Sequence, residues 1–155
     1  MRRRNHDGRQ VLGSPFGILD CRLAIALDDM TKLLGAFAIT ELHIDNMYRP
    51  RARVARKNSP SQHAFGLAVD VLSMTVRQSK AIVETDWSGK LGAEPCGPET
   101  IVSSEREETL TLRNAVCEIA KRGLFHHVLT PNHNRAHEDH LHFDLEPGEK
   151  SLLLQ

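Results

Sequence analysis

Neither sign of charge is in surplus here: 20 lysines and arginines face 20 aspartates and glutamates in 155 residues. Without a global field, nothing draws the chain onto a phosphate backbone or an anionic membrane, so composition argues against a nucleic-acid role. Long apolar runs are missing too. Charges interrupt each of them before about 18 residues, and no membrane span is expected. The basic start Met1-Arg2-Arg3-Arg4 leads into Asn5, His6, Asp7, Arg9 and Gln10 where an export signal would have its apolar core. Cysteine is scarce and odd in number. Cys21, Cys96 and Cys117 lack Cys-x-x-Cys spacing, which argues against a cysteine-bound metal and leaves at least one thiol unpaired. Cys21 and Cys117 read as core residues, with a bridge from Cys21 to Cys117 or Cys96 left open. A chain of this length makes one domain that buries roughly two thirds of its unfolded surface and needs no staple.

What the chain does have is histidine, nine in all and locally enriched from His126 onward, which favours a metal or proton-transfer site. The first informative stretch is Ser61-Gln62-His63-Ala64-Phe65-Gly66-Leu67-Ala68-Val69-Asp70-Val71. From Leu67 the apolar Leu67, Val69 and Val71 alternate with Gly66, Ala68 and Asp70, and period-two alternation places the sets on opposite faces of a strand. Gly66 and Ala68 leave room above the sheet beside Asp70. Phe65-Gly66 permits a tight entry turn, so His63 leans back toward Asp70.

The second stretch is His137-Glu138-Asp139-His140-Leu141-His142-Phe143-Asp144. As a strand it puts His140, His142 and Asp144 on one face and Leu141 and Phe143 on the core face. Hydrolytic zinc sites take three imidazole or carboxylate ligands and keep one open position. His63, Asp70 and one histidine of the second stretch, chosen from His137, His140 and His142, fit that count. Asp144 reads as the partner that orients a histidine N–H.

The remaining chain supplies scaffold. Residues 1–14 read as a frayed arm. Residues 20–34 have helical spacing, with Leu23, Ile25, Ala26, Leu27, Met30, Leu33 and Leu34 apolar, Asp20 as N-cap and Gly35 as stop. Strands are expected at 37–44 and 81–84, the latter within a short helical or irregular connection over 73–90. His43 reads as a surface or satisfied core histidine. A turn follows at 86–89 and a loop at 91–104. A helix is expected over 105–122, capped by Ser104, stopped by Gly123, with Leu110, Leu112, Ala115, Val116, Ile119 and Ala120 buried. A strand over 125–130 makes His126 and His127 face opposite ways. The polar turn 131–136 carries His133, which reads as exposed.

Ser61-x-His63-x-x-Gly66-x-Ala68-x-Asp70 and Asp139-x-x-His142-Phe143 together resemble the zinc peptidase superfamily of D-Ala-D-Ala carboxypeptidases and dipeptidases, murein endopeptidases and the hedgehog fold. A nearer likeness is to the extensin-like C-terminal domain. It runs from Cys21-Arg22-Leu23-Ala24-Ile25-Ala26-Leu27 through Tyr48-x-x-Arg51, Val116-Cys117 and Phe125-x-x-Val128-Leu129-Thr130-Pro131 to His137-x-Asp139-His140-x-His142-x-Asp144. One residue departs from the family: Pro50 stands where cysteine is usual, which implies that Cys117 has lost a disulfide partner.

The resemblance implies one zinc ion held by His63, Asp70 and His142. It implies Asp139 as general base, placed in the turn before the strand because strand parity would point it away, and His140 as a second proton or hydrogen-bond donor. An arginine would orient the substrate with its planar fork, Arg51 first and Arg49 second. The fold expected is α+β, a small antiparallel sheet with helices on one side and a zinc cleft on the other, over residues 15–147 with a tail at 148–155. The function implied is hydrolysis of a peptide bond in peptidoglycan stem peptides or related D-alanyl peptides, by a monomer of the cell envelope or exterior. The alternative is a catalytically silent zinc domain that binds such ligands.

Overall fold

Apolar residues at helical spacing after Asp20 form α1, Cys21–Gly35, in the computed structural model, which describes residues 18–54, 57–97 and 106–155. The expected arm 1–14, the Ser104 cap and Glu105 lie outside those residues. The Asp20 carboxylate accepts the Arg22 N–H at 2.9 Å, satisfying one free donor of the first turn, an interaction worth about 1 kcal/mol. Leu23, Ala26, Met30 and Leu34 form the buried stripe. Ile25, expected to join it, is exposed, because 100° per residue carries it off the line through 23, 26 and 30. The helix includes Gly35 and reverses at Ala38, which takes φ 55°. The next strand, β1 (Ile39–Asn46), therefore starts two residues later than the sequence indicates.

The central strand is β2, Ala68–Val76, longer than its alternation implies. One edge pairs antiparallel with β1. His43 lies opposite Ser73 and Ile44 opposite Val71, so Leu72 is the extra residue of a bulge. Past it the core parity changes from Val69 and Val71 to Met74 and Val76. Residues 73–76, expected to be helical or irregular, are thus strand. A reversal at Arg77, with φ 55°, leads into β3 (Ser79–Ile82), and 83–84, expected to be strand, open the helical turn α2 (Val83–Asp86).

The helix α3 spans Glu107–Lys121 and buries Leu112, Ala115, Val116, Ile119 and Ala120, while Leu110 is exposed. Gly123, at φ 63°, follows its end. Then come β4 (His127–Leu129), β5 (Leu141–Asp144) and β6 (Leu153–Leu154). Residues 148–155, expected as a tail, thus supply an edge strand parallel to β4.

The sheet order is β1-β2-β5-β4-β6 with β3 beside the far half of β2, antiparallel except for the β4–β6 pair. The buried residues of α1 and α3 share one core with Val69, Val71, Val128, Leu141 and Phe143. The opposite face floors a cleft of about 1640 Å³. The result is an α+β domain with a small, mostly antiparallel sheet. Among the described residues no helix is long and apolar enough to cross a membrane.

Two cysteine expectations are corrected. Cys117 forms a disulfide with Cys96, so it lost no partner at Pro50 and is no plain core thiol. Cys21 is free and exposed in the first turn of α1. One turn before Cys117, the Arg113 guanidinium donates to the carbonyls of Ser88 and Pro95. Bridge and arginine together tie the loop over residues 87–97 to α3.

Candidate metal centre

Register brings the centre together. In the antiparallel pair β2–β5, Asp70 stands directly opposite His142, where opposed side chains on one face lie about 5 Å apart. His63 arrives from the single-turn helix Gln62–Phe65. That turn ends at Gly66 with φ 67°, and a Cβ there would sit 3.1 Å from Leu19 Cα and 3.2 Å from Asp20 N. Conformation and space both call for glycine. The Asp20 N–H donates to the Gly66 carbonyl, so the entry to α1 is packed directly against the turn that aims His63.

Each imidazole turns one nitrogen to a partner behind it and the other to Asp70. His63 Nδ1 donates to the Met47 carbonyl at 2.7 Å, and its Nε2 lies 3.1 Å from Asp70 Oδ1. His142 Nε2 donates to Asp144 Oδ2 at 2.9 Å and Nδ1 to Asp70 Oδ1 at 2.9 Å. Asn46 donates to the other Asp70 oxygen at 2.7 Å. One ligand atom from each of His63, Asp70 and His142 lies within 4.8 Å of the others, and all three residues are buried. Among the described residues this is the group with that property. It takes in His142 and leaves out His137 and His140.

The ion-free electrostatics follow from this packing. Burial opposes the Asp70 charge, yet hydrogen bonds from His142 and His63 outweigh it and hold the carboxyl well below its usual range. Burial likewise opposes a charged His142, but hydrogen bonds from its nitrogens to Asp144 and Asp70 push it up to about 9. Asp144, destabilised as an anion by burial, is held low by His127 and His142. The donor set is two nitrogens and one oxygen, with outer partners fixing both rings. That is the composition and support zinc takes, so these residues fit the ion.

Around the centre, His140 bridges inward from the rim: Nδ1 donates to Asp139 at 2.7 Å and Nε2 lies 3.7 Å from Asp70 Oδ1. Asp139 lines the cleft from the turn before β5, the position that strand parity demands. His137 packs its ring against those of His133, His140 and His142. Burial, then the nearby histidines, push it down to about 3. His133, read as exposed, is half-buried in the cleft wall. Of the pair 126–127, His127 lines the cleft and donates from Nδ1 to Asp144 at 2.7 Å, while His126 Nδ1 accepts from the Glu146 N–H.

The arginines separate cleanly. Pro50 and Arg51 are the middle residues of a turn closed by the Ala52 N–H on the Arg49 carbonyl, with Arg51 at φ 64°. Proline second and a left-handed third residue is the type II pattern. Arg49 lines the cleft and its N–H donates to the His63 carbonyl at 2.9 Å. Arg51, the first choice from the sequence, is exposed at the turn and does not line the cleft. Asn46 and the Met47 carbonyl went unread in the sequence, where no local pattern connects them to residues 63 and 70, while strand parity set His126 and His127 on opposite faces without choosing the one that meets Asp144.

The family model described as extensin-like protein C-terminus matches residues 7–152. No curated protein and no solved structure matches the chain. The match spans nearly the whole sequence and takes in every residue of the centre, and the chain belongs to the extensin-like protein C-terminus family.

Proposed function

We propose that the protein is a zinc-dependent peptidase of the D-Ala-D-Ala carboxypeptidase, murein endopeptidase and hedgehog-like superfamily, cutting a peptide bond in peptidoglycan stem peptides or related D-alanyl peptides. The observation that carries the reading is the convergence of His63 Nε2, Asp70 and His142 Nδ1, each imidazole held from behind by Met47 or Asp144. When bound, zinc supplies Lewis acidity that polarises a carbonyl and acidifies water. Asp139 takes a proton at its carboxylate from the water that adds to the carbonyl carbon and passes it to the amine that leaves as the C–N bond breaks. As the imidazolium, His140 keeps Nδ1–H on Asp139 and donates Nε2–H toward the substrate. Arg49, in the cleft wall, orients a substrate carbonyl or carboxylate through its fork of donors.

Digestion of purified peptidoglycan by the zinc-loaded protein, followed by mass spectrometry of the fragments, tests the reading without assuming the bond. A new amine terminus should appear, and Asp139→Ala should slow its release by about 10²- to 10⁴-fold while zinc stays bound. Retention of the fragments by the zinc-loaded protein with no amide cut would make it a binding domain instead.

A further inference from the structure

The wall of the cleft beside His63 is cationic and unopposed from within. Residues 46–69 contain Arg49, Arg51, Arg53, Arg56 and Lys57 and neither aspartate nor glutamate. Arg49, Arg53 and Lys57 line the cleft. Among the described residues none of the three makes an ion pair, in contrast to Arg22, Lys32, Arg77 and Arg122. The arm that carries them is held in place. Arg53 bridges to Pro60, the Val54 N–H donates to Ser59, the Ser61 N–H donates to Ala52, and Arg49 is tied to the His63 carbonyl. The backbone at Arg49 and Arg53 is thus anchored to the turn that aims His63.

The floor beneath them runs past the centre on both sides. Asp70 and His142 are on the middle strands β2 and β5. On one side the lining continues through His43 and Asp45 of β1, on the other through Leu129 of β4 and Leu153 of β6. At about 1640 Å³ the cleft is larger than the roughly 300–1,000 Å³ of a site for one small ligand. An occupant that fills it crosses the centre instead of ending there.

We propose that the arm bearing Arg49, Arg53 and Lys57 is an anion-recognition site, and that the substrate is an extended peptide carrying side-chain carboxylates, gripped along its length rather than by its terminus. Arg53 and Lys57 are specificity residues that pair with those carboxylates. A nucleic acid fits less well: Asp45, Glu84, Asp139 and Glu146 line the same cleft and repel a chain that carries a phosphate at every residue, whereas a peptide can carry carboxylates where it meets the arm and neutral residues elsewhere. The proposal rests on the peptidase reading for the occupant's being a substrate, and its test reads binding alone.

The test uses two decapeptides with fluorescein on the N-terminal amine and an amidated C-terminus, one alternating alanine with glutamate, the other alanine with glutamine. Anisotropy titrations with the zinc-loaded full chain at low salt should show the glutamate peptide binding about three- to tenfold tighter, as exposed ion pairs allow. The preference should shrink as salt is added and fall to near unity in the Arg53→Gln, Lys57→Gln double variant, read in a preparation whose melting temperature matches the native chain's, because Arg53 also donates to the Asn58 carbonyl. Equal binding of the two peptides would overturn the proposal, as would a preference that survives the double variant. Displacement of the glutamate peptide by a lower concentration of oligothymidylate of equal charge would overturn it in favour of a nucleic-acid surface. The preference together with no amide cut in the peptidoglycan digest would sink the peptidase reading and keep this one; cleavage in that digest without the preference would do the reverse.

Discussion

Replacing Asp144 by asparagine keeps the shape of the side chain and removes the charge that holds His142. In the native chain this buried carboxylate accepts from His142 Nε2 at 2.9 Å and from His127 Nδ1 at 2.7 Å. Loss of such an outer partner typically weakens metal affinity 10- to 100-fold, or about 1.4–2.7 kcal/mol. The consequence can be read as heat stability. With free zinc at 100 times the native dissociation constant, binding stabilises the native fold by about 2.7 kcal/mol. A 100-fold weaker variant at the same zinc gains only about 0.4 kcal/mol. The difference of about 2.3 kcal/mol corresponds to roughly 5–9 °C in a domain of this size. Melting both proteins in chelator and in zinc isolates this gap from any loss of fold in the variant. An equal zinc-induced rise in the two proteins would refute the role given to Asp144.

Two other outcomes follow from the geometry. Arg49→Ala should depress turnover of peptidoglycan fragments with zinc retained, while Arg51→Ala should turn over normally; the opposite pattern in a fragment-release assay would move the substrate arginine to the turn. Breaking the Cys96–Cys117 bridge by Cys96→Ser with Cys117→Ser opens a link with sequence separation 21 and should cost about 3 kcal/mol. Urea unfolding would report that as a lower midpoint, and an unchanged midpoint would show that the bridge does not constrain the chain.

The sequence disclosed what depends on local pattern. His63, Gly66 and Asp70 are tied by a turn and a strand entry, and the structure sets both beside His142. Helices α1 and α3 were legible because their apolar residues repeat with the helical period. The far half of β2 was not, since the bulge at Leu72 shifts the alternation and makes a continuous strand look finished at Val71. Cys96 and Cys117 carry no mark of their pairing, which depends on how the loop after Trp87 lies on α3. Asn46 reaches Asp70 only because β1 pairs with β2, a relation 24 residues long. That Arg49 and not Arg51 lines the cleft was readable in principle: Pro50 second in a turn puts Arg51 third, where a left-handed backbone turns it out of the wall.

The most direct measurement of the central claim is the zinc content of the purified chain beside its His63→Ala, Asp70→Ala, His142→Ala and His140→Ala variants, by elemental analysis after dialysis. One zinc per native chain is predicted, lost in the first three variants and kept in His140→Ala. Unchanged zinc in the first three, or loss in His140→Ala alone, would contradict the centre described above.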